Sequence, residues 1–330
     1  MALKTEIIEY VEKSLRRGFA SFGGICPIAC NHCYTFMRGY QHKPDEKVDD
    51  IVNSLKGKVY DIIYISGHCE NFINQEQGFE LCEKLFSSYN CDIMLTTRMV
   101  LDVGIINRLS SLNKKMCQNG NTLFVCSSIP ALESYRKLEP SKYMPSPRER
   151  IRFLRDVHNE GIITFLTLRP LFPDYYINTT ELLQLIDEAQ DASDIVLSSG
   201  IVVNEDNLKK LCGFNVKKAT TGHLMNCLDN ADISVQYVDV TNELKLLNEK
   251  SCFLQLPFFS ESLIAVKFLK LVSNFPINKR YDAYKRYMSA LNGDIKAIDD
   301  FMLVAKTENE KAFWSGLKEK LKDSKSNNEF

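Results

Sequence analysis

The chain has 330 residues, of which 45% are hydrophobic and 25% charged, the balance of a soluble globular protein rather than a disordered one. Lysine and arginine number 41 and aspartate and glutamate 42, so the formal net charge of −1 excludes a whole-chain basic field for binding nucleic acid. Eleven cysteines, an N-terminus unlike a signal peptide and the lack of a membrane-spanning apolar run predict a cytosolic protein with reduced thiols.

Residues 1–18 alternate charged and apolar residues at helical spacing, which predicts an N-terminal helix. Six short, nearly continuously apolar runs follow and predict parallel strands covered on both faces. These runs span residues 19–25, 60–66, 91–97, 122–128, 162–168 and 194–200, and helical patterns separate them. A closed eight-unit barrel needs about 250 residues. The six units therefore predict an α/β fold of the open type, a partial (β/α)6 TIM-like barrel.

The regular alternation weakens after residue 200. Residues 233–241 predict one further strand and residues 261–272 a helix, with surface-facing helices beyond them. We therefore predict three parts: an N-terminal helix over 1–18, a barrel core over 19–200, and a C-terminal α-rich extension over 201–330. The extension is expected to complete the side of the barrel and to cover the substrate site.

Polar and chemically active residues follow the predicted strands at the points where the strands end. They are Cys26 after the first strand, Ser66 and Gly67 at the second, Arg98 after the third, Ser127 and Ser128 at the fourth, and Arg169 after the fifth. Because the carboxyl ends of parallel strands meet at one edge, this pattern predicts a single catalytic rim.

Three cysteines lie close together in the stretch GGICPIACNHCYTF, residues 23–36: Cys26, Cys30 and Cys33. They could form a zinc site, a disulfide, a set of core thiols, or the ligands of a redox group. A zinc site needs a fourth ligand, and the chain has no second C-x2-C pair. His32 lies between two of the cysteines, and its place in the same short loop predicts that it points away from a shared metal. Three thiolates fit a [4Fe–4S] cluster whose fourth iron stays open to a small ligand.

The spacing C-x3-C-x2-C directly after the first strand of a βα array resembles that of the radical S-adenosylmethionine enzymes. The resemblance implies that the open iron binds the amino and carboxylate groups of S-adenosyl-L-methionine. An external one-electron reductant of the flavodoxin or ferredoxin type would reduce the cluster. The reduced cluster then splits the cofactor into methionine and a 5′-deoxyadenosyl radical, which abstracts hydrogen from a substrate.

The same resemblance implies which residues contact the cofactor. His32 occupies the position that is usually aromatic, with Tyr34 just beyond it, and the turn SGHCE takes the place of a Gly-Gly-Glu-like turn that holds the methionine amino group. The implied cofactor contacts are His32, Tyr34, Ser66, Gly67, Glu70, Arg98, Ser127, Ser128 and Arg169, beside the iron ligands Cys26, Cys30 and Cys33.

One branch of the family is closer in pattern. The segments TTRMVLD and SSIPALESYRKLEP resemble spore photoproduct lyase and related DNA-photolyase-like proteins. In that branch a basic residue after the third strand contacts the cofactor carboxylate, a role that the resemblance gives to Arg98. The lyase uses a cysteine on the second strand to return a hydrogen atom, whereas that strand here contains none. Cys69 and Tyr64 are therefore the candidate catalytic residues.

The resemblance does not identify the substrate, which can be a small molecule, a peptide or a nucleotide. A nucleic-acid lesion is one alternative, and a non-catalytic zinc or iron–sulfur binding module is another. The stretch NKRYDAYKRYM interleaves cations and tyrosines as nucleic-acid surfaces do, but helical spacing favours tyrosines that pack and cations that face water. For Arg148 and Arg150, the neighbours Glu149 and Asp156 predict ion pairs on a solvated helix face.

Overall fold

The computed structural model describes residues 10, 14–22, 26, 28–33, 35, 47–66, 69–225, 232–272, 277–305 and 308–326. The backbone groups into two compact units, of which the larger spans Arg17–Ser260. The smaller contains the described residues of Met1–Arg16 and Glu261–Phe330. The domain boundaries predicted at residues 18 and 200 stay predictions.

The larger unit contains ten strands and eight helices within the described residues. The strands are β1 (Arg17–Ala20), β2 (Ile62–Ile65), β3 (Asp92–Thr97), β4 (Leu123–Ser128), β5 (Ile163–Leu171), β6 (Ile195–Gly200), β7 (Val202–Val203), β8 (Ala219–Met225), β9 (Asp232–Val238) and β10 (Phe258–Phe259). The helices are α1 (Val48–Ser54), α2 (Gln75–Tyr89), α3 (Val103–Gln118), α4 (Tyr135–Leu138), α5 (Pro147–Asn159), α6 (Thr179–Ala189), α7 (Glu205–Lys210) and α8 (Thr241–Phe253).

The principal sheet has seven strands in the order β1-β2-β3-β4-β5-β6-β10, and all neighbouring pairs are parallel. Each of the six predicted strands has a counterpart in it, so the prediction of an α/β partial barrel is confirmed. The seventh strand, β10, has only two residues, and such a short segment carries no readable sequence period.

A second sheet of three antiparallel strands, in the order β7-β9-β8, was not predicted. The expected strand at 233–241 is present as β9, but it lies in this small sheet. Strand β8 has the sequence ATTGHLM and lies at the edge of the sheet with most of its described residues exposed. Without apolar alternation, the sequence gives no strand signal at this position.

Side-chain alternation along the strands separates two faces of the principal sheet. Leu123 and Val125 of β4 pack in an apolar cluster with residues of α1 to α3, and Leu166 of β5 packs in a second cluster with residues of α5 and α6. The opposite face of these strands includes Cys126 and Thr167, near the carboxyl edge where the site residues collect. Burial on both faces explains the continuous apolar runs in the sequence.

The smaller unit contains the helices α9 (Ser262–Val272), α10 (Ile277–Leu291), α11 (Ile295–Val304) and α12 (Glu308–Ser326). An aromatic core holds them together: Trp314 is fully buried and stacks on Phe301, with ring centroids 4.8 Å apart. Tyr284 and Tyr287 of α10 are also buried. The tyrosines thus pack as helical spacing predicts. None of the described helices is both long and apolar enough to cross a lipid bilayer.

Candidate active site

The loop after β1 folds so that its three cysteines surround one small apolar cluster. Cys30 is buried against Met144, and Cys26 and Cys33 pack on the same cluster. Two tight turns produce this arrangement. The Ala29 N–H donates to the Cys26 carbonyl at 3.2 Å, and the Cys33 N–H donates to the Cys30 carbonyl at 3.2 Å. The structure therefore packs the three predicted iron ligands in or against one apolar cluster, and their role as iron ligands stays a prediction.

The loop is fastened to two neighbouring segments. Asn31 donates from its backbone N–H to the carbonyl of Leu138 at 2.9 Å and from its side chain to the carbonyl of Lys137 at 3.0 Å. The side chain of Asn207 donates to the Cys33 carbonyl at 3.2 Å. These bonds hold both halves of the loop without using a thiol. Sequence reasoning did not single out Asn31 or Asn207.

Cys26 lies in surroundings that favour its thiolate. It accepts a hydrogen bond from the Cys69 thiol, and that bond is the largest influence on its pKa. Burial acts in the opposite direction, but the backbone N–H groups of Glu70 and Ile28 and the nearby Arg98 add to the lowering, and the pKa of Cys26 falls to about 5. The same bond and burial raise the pKa of Cys69. A lowered pKa favours the thiolate, the form in which a cysteine binds a metal.

The other two cysteines have different surroundings. Burial raises the pKa of Cys30 to about 12, against the effect of Arg98. The Sγ of Cys33 lies 2.8 Å from the hydroxyl oxygen of Thr35, which is buried. Arg98 interacts with both Cys30 and Cys33, and this cation offsets the negative charge of thiolates gathered on the loop.

His32 is fully enclosed, and burial, together with Arg98, lowers its pKa to about 3, so the ring is neutral. A ring nitrogen of His32, the Sγ of Cys30 and a carboxylate oxygen of Glu139 lie within 4.8 Å of one another. The two turns of the loop thus place the ring beside Cys30, and the prediction that His32 points away from a metal shared with the cysteines stays a prediction. Neither ring nitrogen has a hydrogen-bond partner among the described residues.

A buried ion network lies beneath the cysteine loop. The carboxylate of Glu139, with no exposed side-chain surface, accepts from Arg98 Nε at 2.8 Å and from Arg150 Nη2 at 2.7 Å. Arg150 also donates from Nη1 to the carbonyl of Ser128 at 2.7 Å. Burial raises the pKa of Glu139, but the two arginines outweigh it, and the pKa of Glu139 lies below its usual value.

The solvated helix face predicted for Arg150 is wrong. Helix α5 begins with Ser146 and Glu149 in a capping box, and its buried residues include Pro147, Arg150, Ile151 and Leu154. Position 150 lies three residues after Pro147, and residues three apart lie on the same face of a helix. This spacing places Arg150 on the buried, apolar face and could have predicted its burial. Arg148, on the other face, is exposed and pairs with surface carboxylates as predicted.

Glu70 is buried at the end of β2 and connects it to the end of β3. Its carboxylate accepts from Thr97 Oγ1 at 2.8 Å, from the Arg98 N–H at 2.7 Å and from the Phe72 N–H at 3.1 Å. Burial raises the pKa of Glu70 more than these donors lower it. Both carboxylate oxygens are engaged by the protein, so the structure shows Glu70 holding Arg98 in position; its predicted contact with a cofactor stays a prediction.

The turn after β2 is fixed to β1. Ser66 has a left-handed backbone, with φ of 66°, and its N–H donates to the Ala20 carbonyl at 3.2 Å. Asn71 donates from its backbone to Ser66 Oγ at 3.2 Å and from its side chain to the Ala20 carbonyl at 3.3 Å, and it accepts from the Phe22 N–H at 3.1 Å. Asn71, which sequence reasoning missed, thus joins the two strand ends. Gly67 and Tyr34 lie outside the described residues.

The ends of β4 and β5 supply hydroxyl groups. Ser128 Oγ donates to the Arg169 carbonyl at 3.1 Å, and a guanidinium nitrogen of Arg169 donates to the Ser260 carbonyl. Within the described part of the chain, the hydroxyls of Ser127 and Thr167 are buried and have no hydrogen-bond partner. Burying a hydroxyl without a partner costs free energy, which a polar ligand recovers when it supplies one. Thr167 was missed because it lies inside an apolar run.

The two predicted catalytic residues lie in different settings. Cys69 is partly exposed and donates to Cys26, so it is adjacent to the cysteine loop. Tyr64 lies on β2, half-buried, with its ring 5.6 Å from the ring of Phe19 on β1. Phe19 is 47% exposed, so these two aromatic residues provide an open apolar surface beside the first two strands.

No protein-family model matches the chain, and no curated protein matches it in sequence. Its backbone is similar to that of TsrM, a radical S-adenosylmethionine methyltransferase from Kitasatospora setae, with a TM-score of 0.50, 10% identity, and coverage of 86% of this chain and 64% of TsrM. Streptococcus suis SuiB bound to S-adenosylmethionine gives a TM-score of 0.49 at 12% identity, covering 79% of this chain and 55% of SuiB. Methylornithine synthase gives a TM-score of 0.45 at 15% identity, covering 78% of this chain and 69% of the synthase.

The chain therefore spans less than two thirds of the length of TsrM and of SuiB. At 10% identity, the likeness to TsrM concerns the fold, and it agrees with the parallel seven-stranded sheet. The chemistry of the site has to be argued from the residues of this chain.

Proposed function

We propose that this protein is a radical S-adenosylmethionine enzyme, with Cys26, Cys30 and Cys33 as the three ligands of a [4Fe–4S] cluster. When bound, the cluster and S-adenosyl-L-methionine supply a 5′-deoxyadenosyl radical that abstracts hydrogen from a substrate. The chain's own residues hold these groups, orient them and keep water away.

The observation that carries this proposal is the environment of the cysteine loop. The three cysteines pack in or against one small apolar cluster, the hydrogen bond from Cys69 lowers the pKa of Cys26, and Arg98 offsets the charge near Cys30 and Cys33. A non-catalytic zinc site is disfavoured by the same surroundings. The other ligand atoms near Cys30 are those of His32 and Glu139, and Glu139 is committed to two arginines. Two adjacent guanidinium groups repel a bare divalent cation.

Arg98 is the residue we assign to the cofactor carboxylate. Glu139 holds its Nε, which fixes the plane of the guanidinium, and within the described residues its two terminal nitrogens donate no hydrogen bond. A planar pair of N–H donors suits a carboxylate. The hydroxyls of Thr167, Ser66 and Ser128 are the further polar groups that we assign to the cofactor.

The alternative function, a lyase of the spore photoproduct type that acts on nucleic acid, receives less support from the described residues. Two of the three tyrosines on α10, Tyr284 and Tyr287, are buried in the smaller unit and cannot stack on bases. The chain carries a formal charge of −1, which provides no general attraction for a polyanion. We therefore favour a peptide or a small molecule as the substrate.

Two further elements complete the proposal. The cluster needs one electron from outside the chain, for which a flavodoxin or a ferredoxin is the suitable type of partner. The ten described cysteines are all free thiols, which supports a reducing compartment such as the cytosol.

Anaerobic reconstitution with iron and sulfide tests the proposal. The protein should bind about four irons per chain and, on addition of S-adenosyl-L-methionine and a strong reductant, release 5′-deoxyadenosine. Replacing Cys26, Cys30 and Cys33 together by alanine should abolish both results. Replacing the buried core residue Cys82 by alanine is the matched control and should leave the iron content unchanged. Iron retained by the triple variant would overturn the assignment.

A further inference from the structure

Two of the three cysteines have a side-chain donor group near the sulfur. The hydroxyl oxygen of Thr35 lies 2.8 Å from the Sγ of Cys33. A ring nitrogen of His32 lies within 4.8 Å of the Sγ of Cys30. We infer that Thr35 and His32 are positioning residues that stabilise the reduced state of the cluster and so raise its reduction potential. This inference rests on the proposed function.

The Thr35 contact has only one possible direction once iron is bound. In the free protein, either the hydroxyl or the thiol of the Thr35–Cys33 pair can donate. A cysteine that ligates iron is a thiolate and has no proton, so the hydroxyl must then donate to the sulfur. Thr35 is buried, and water cannot replace its hydroxyl freely.

His32 follows the same logic. A histidine ring carries at least one N–H, and in the described part of the chain the ring nitrogens of His32 have no hydrogen-bond partner. The sulfur of Cys30 lies within 4.8 Å of a ring nitrogen of His32, and the carboxylate of Glu139, the other group at that distance, is already paired with two arginines.

Hydrogen bonds to cluster sulfurs act mainly on the reduced state. Reduction adds one negative charge to the cluster and its thiolates, so each donor binds the reduced form more strongly than the oxidised form. Removing a donor should therefore make the cluster harder to reduce. Such residues affect electron transfer into the site without touching the substrate.

The experiment is a redox titration of the reconstituted holoprotein, followed by the electron paramagnetic resonance signal of the reduced cluster. Thr35→Val removes the hydroxyl at nearly constant volume, and Thr35→Ser is the control that retains it. We expect Thr35→Val to lower the one-electron reduction equilibrium constant about tenfold, which is about 59 mV. Thr35→Ser should change it less than about twofold.

A second variant keeps the test decisive where Thr35→Val loses the cluster. His32→Phe should lower the potential in the same direction, because a phenyl ring has no N–H.

One-electron reduction equilibrium constants within about twofold of the wild-type value in both Thr35→Val and His32→Phe would overturn the inference. In that case the wild-type protein still binds a cluster with a measurable electron paramagnetic resonance signal. Failure of the proposed function looks different, because the wild-type protein itself would then bind no cluster.

Discussion

Replacing Glu139 by glutamine removes one charge from the buried ion network and keeps the size of the side chain. The carboxylate has no exposed surface and receives hydrogen bonds from Arg98 at 2.8 Å and from Arg150 at 2.7 Å. Losing one partner of a buried ion pair costs about 3–5 kcal/mol, because the remaining charge stays buried without compensation. A change of 1 kcal/mol shifts the melting temperature of a domain of this size by about 2–4 °C. We therefore expect Glu139→Gln to lower it by about 6–20 °C.

Differential scanning calorimetry of the variant and the wild-type protein at pH 7 provides the measurement. Glu133→Gln is the matched control, because Glu133 is 62% exposed and pairs with the exposed Arg148. A surface pair contributes about 0–1 kcal/mol, so the control should melt within about 4 °C of wild type. The pKa of Glu139 is lowered in the fold, so its contribution is present at neutral pH and is lost as the pH falls through that lowered value. Equal melting temperatures for the two variants would refute the reasoning.

Three further outcomes are expected. In the metal-free protein at pH 7, iodoacetamide should label Cys26 before Cys30, because only Cys26 is a thiolate at that pH; mass spectrometry that finds equal labelling would contradict the pKa of about 5. Arg98→Lys should weaken S-adenosyl-L-methionine binding about tenfold or more with unchanged iron content, and an unchanged dissociation constant would remove Arg98 from the cofactor site. Thr167→Val should raise the melting temperature of the cofactor-free protein by a few degrees and weaken cofactor binding, because the hydroxyl is buried without a partner; a lower melting temperature would show a structural hydrogen bond instead.

The strands that carry the site could be predicted because they are buried on both faces. Nearly continuous apolar runs such as residues 122–128, separated by helical patterns, predict buried parallel strands. Strand β4 begins and ends within one residue of that prediction. The cysteines were predicted to gather because they follow one strand at close spacing. The sequence of the edge strand β8 gave no signal, because it is exposed and polar. This segment becomes a strand by pairing with β9 and not by burying an apolar face.

The parts of the site that depend on distant contacts were not predictable. Arg150 was assigned to a solvated face because its sequence neighbours are acidic, whereas its partner Glu139 lies eleven positions earlier in another element. Local charge patterns say nothing about which groups the fold brings together. The orientation of His32 likewise follows from the two turns of the loop, and no residue type encodes that orientation by itself.

The measurement that tests the central claim most directly is the electron paramagnetic resonance spectrum of the reduced, reconstituted protein before and after addition of S-adenosyl-L-methionine. A cluster with three cysteine ligands and an open iron binds the cofactor at that iron, so the spectrum should change when the cofactor is added. A cluster whose spectrum is the same with and without S-adenosyl-L-methionine, or a protein that binds zinc without sulfide, would contradict the account.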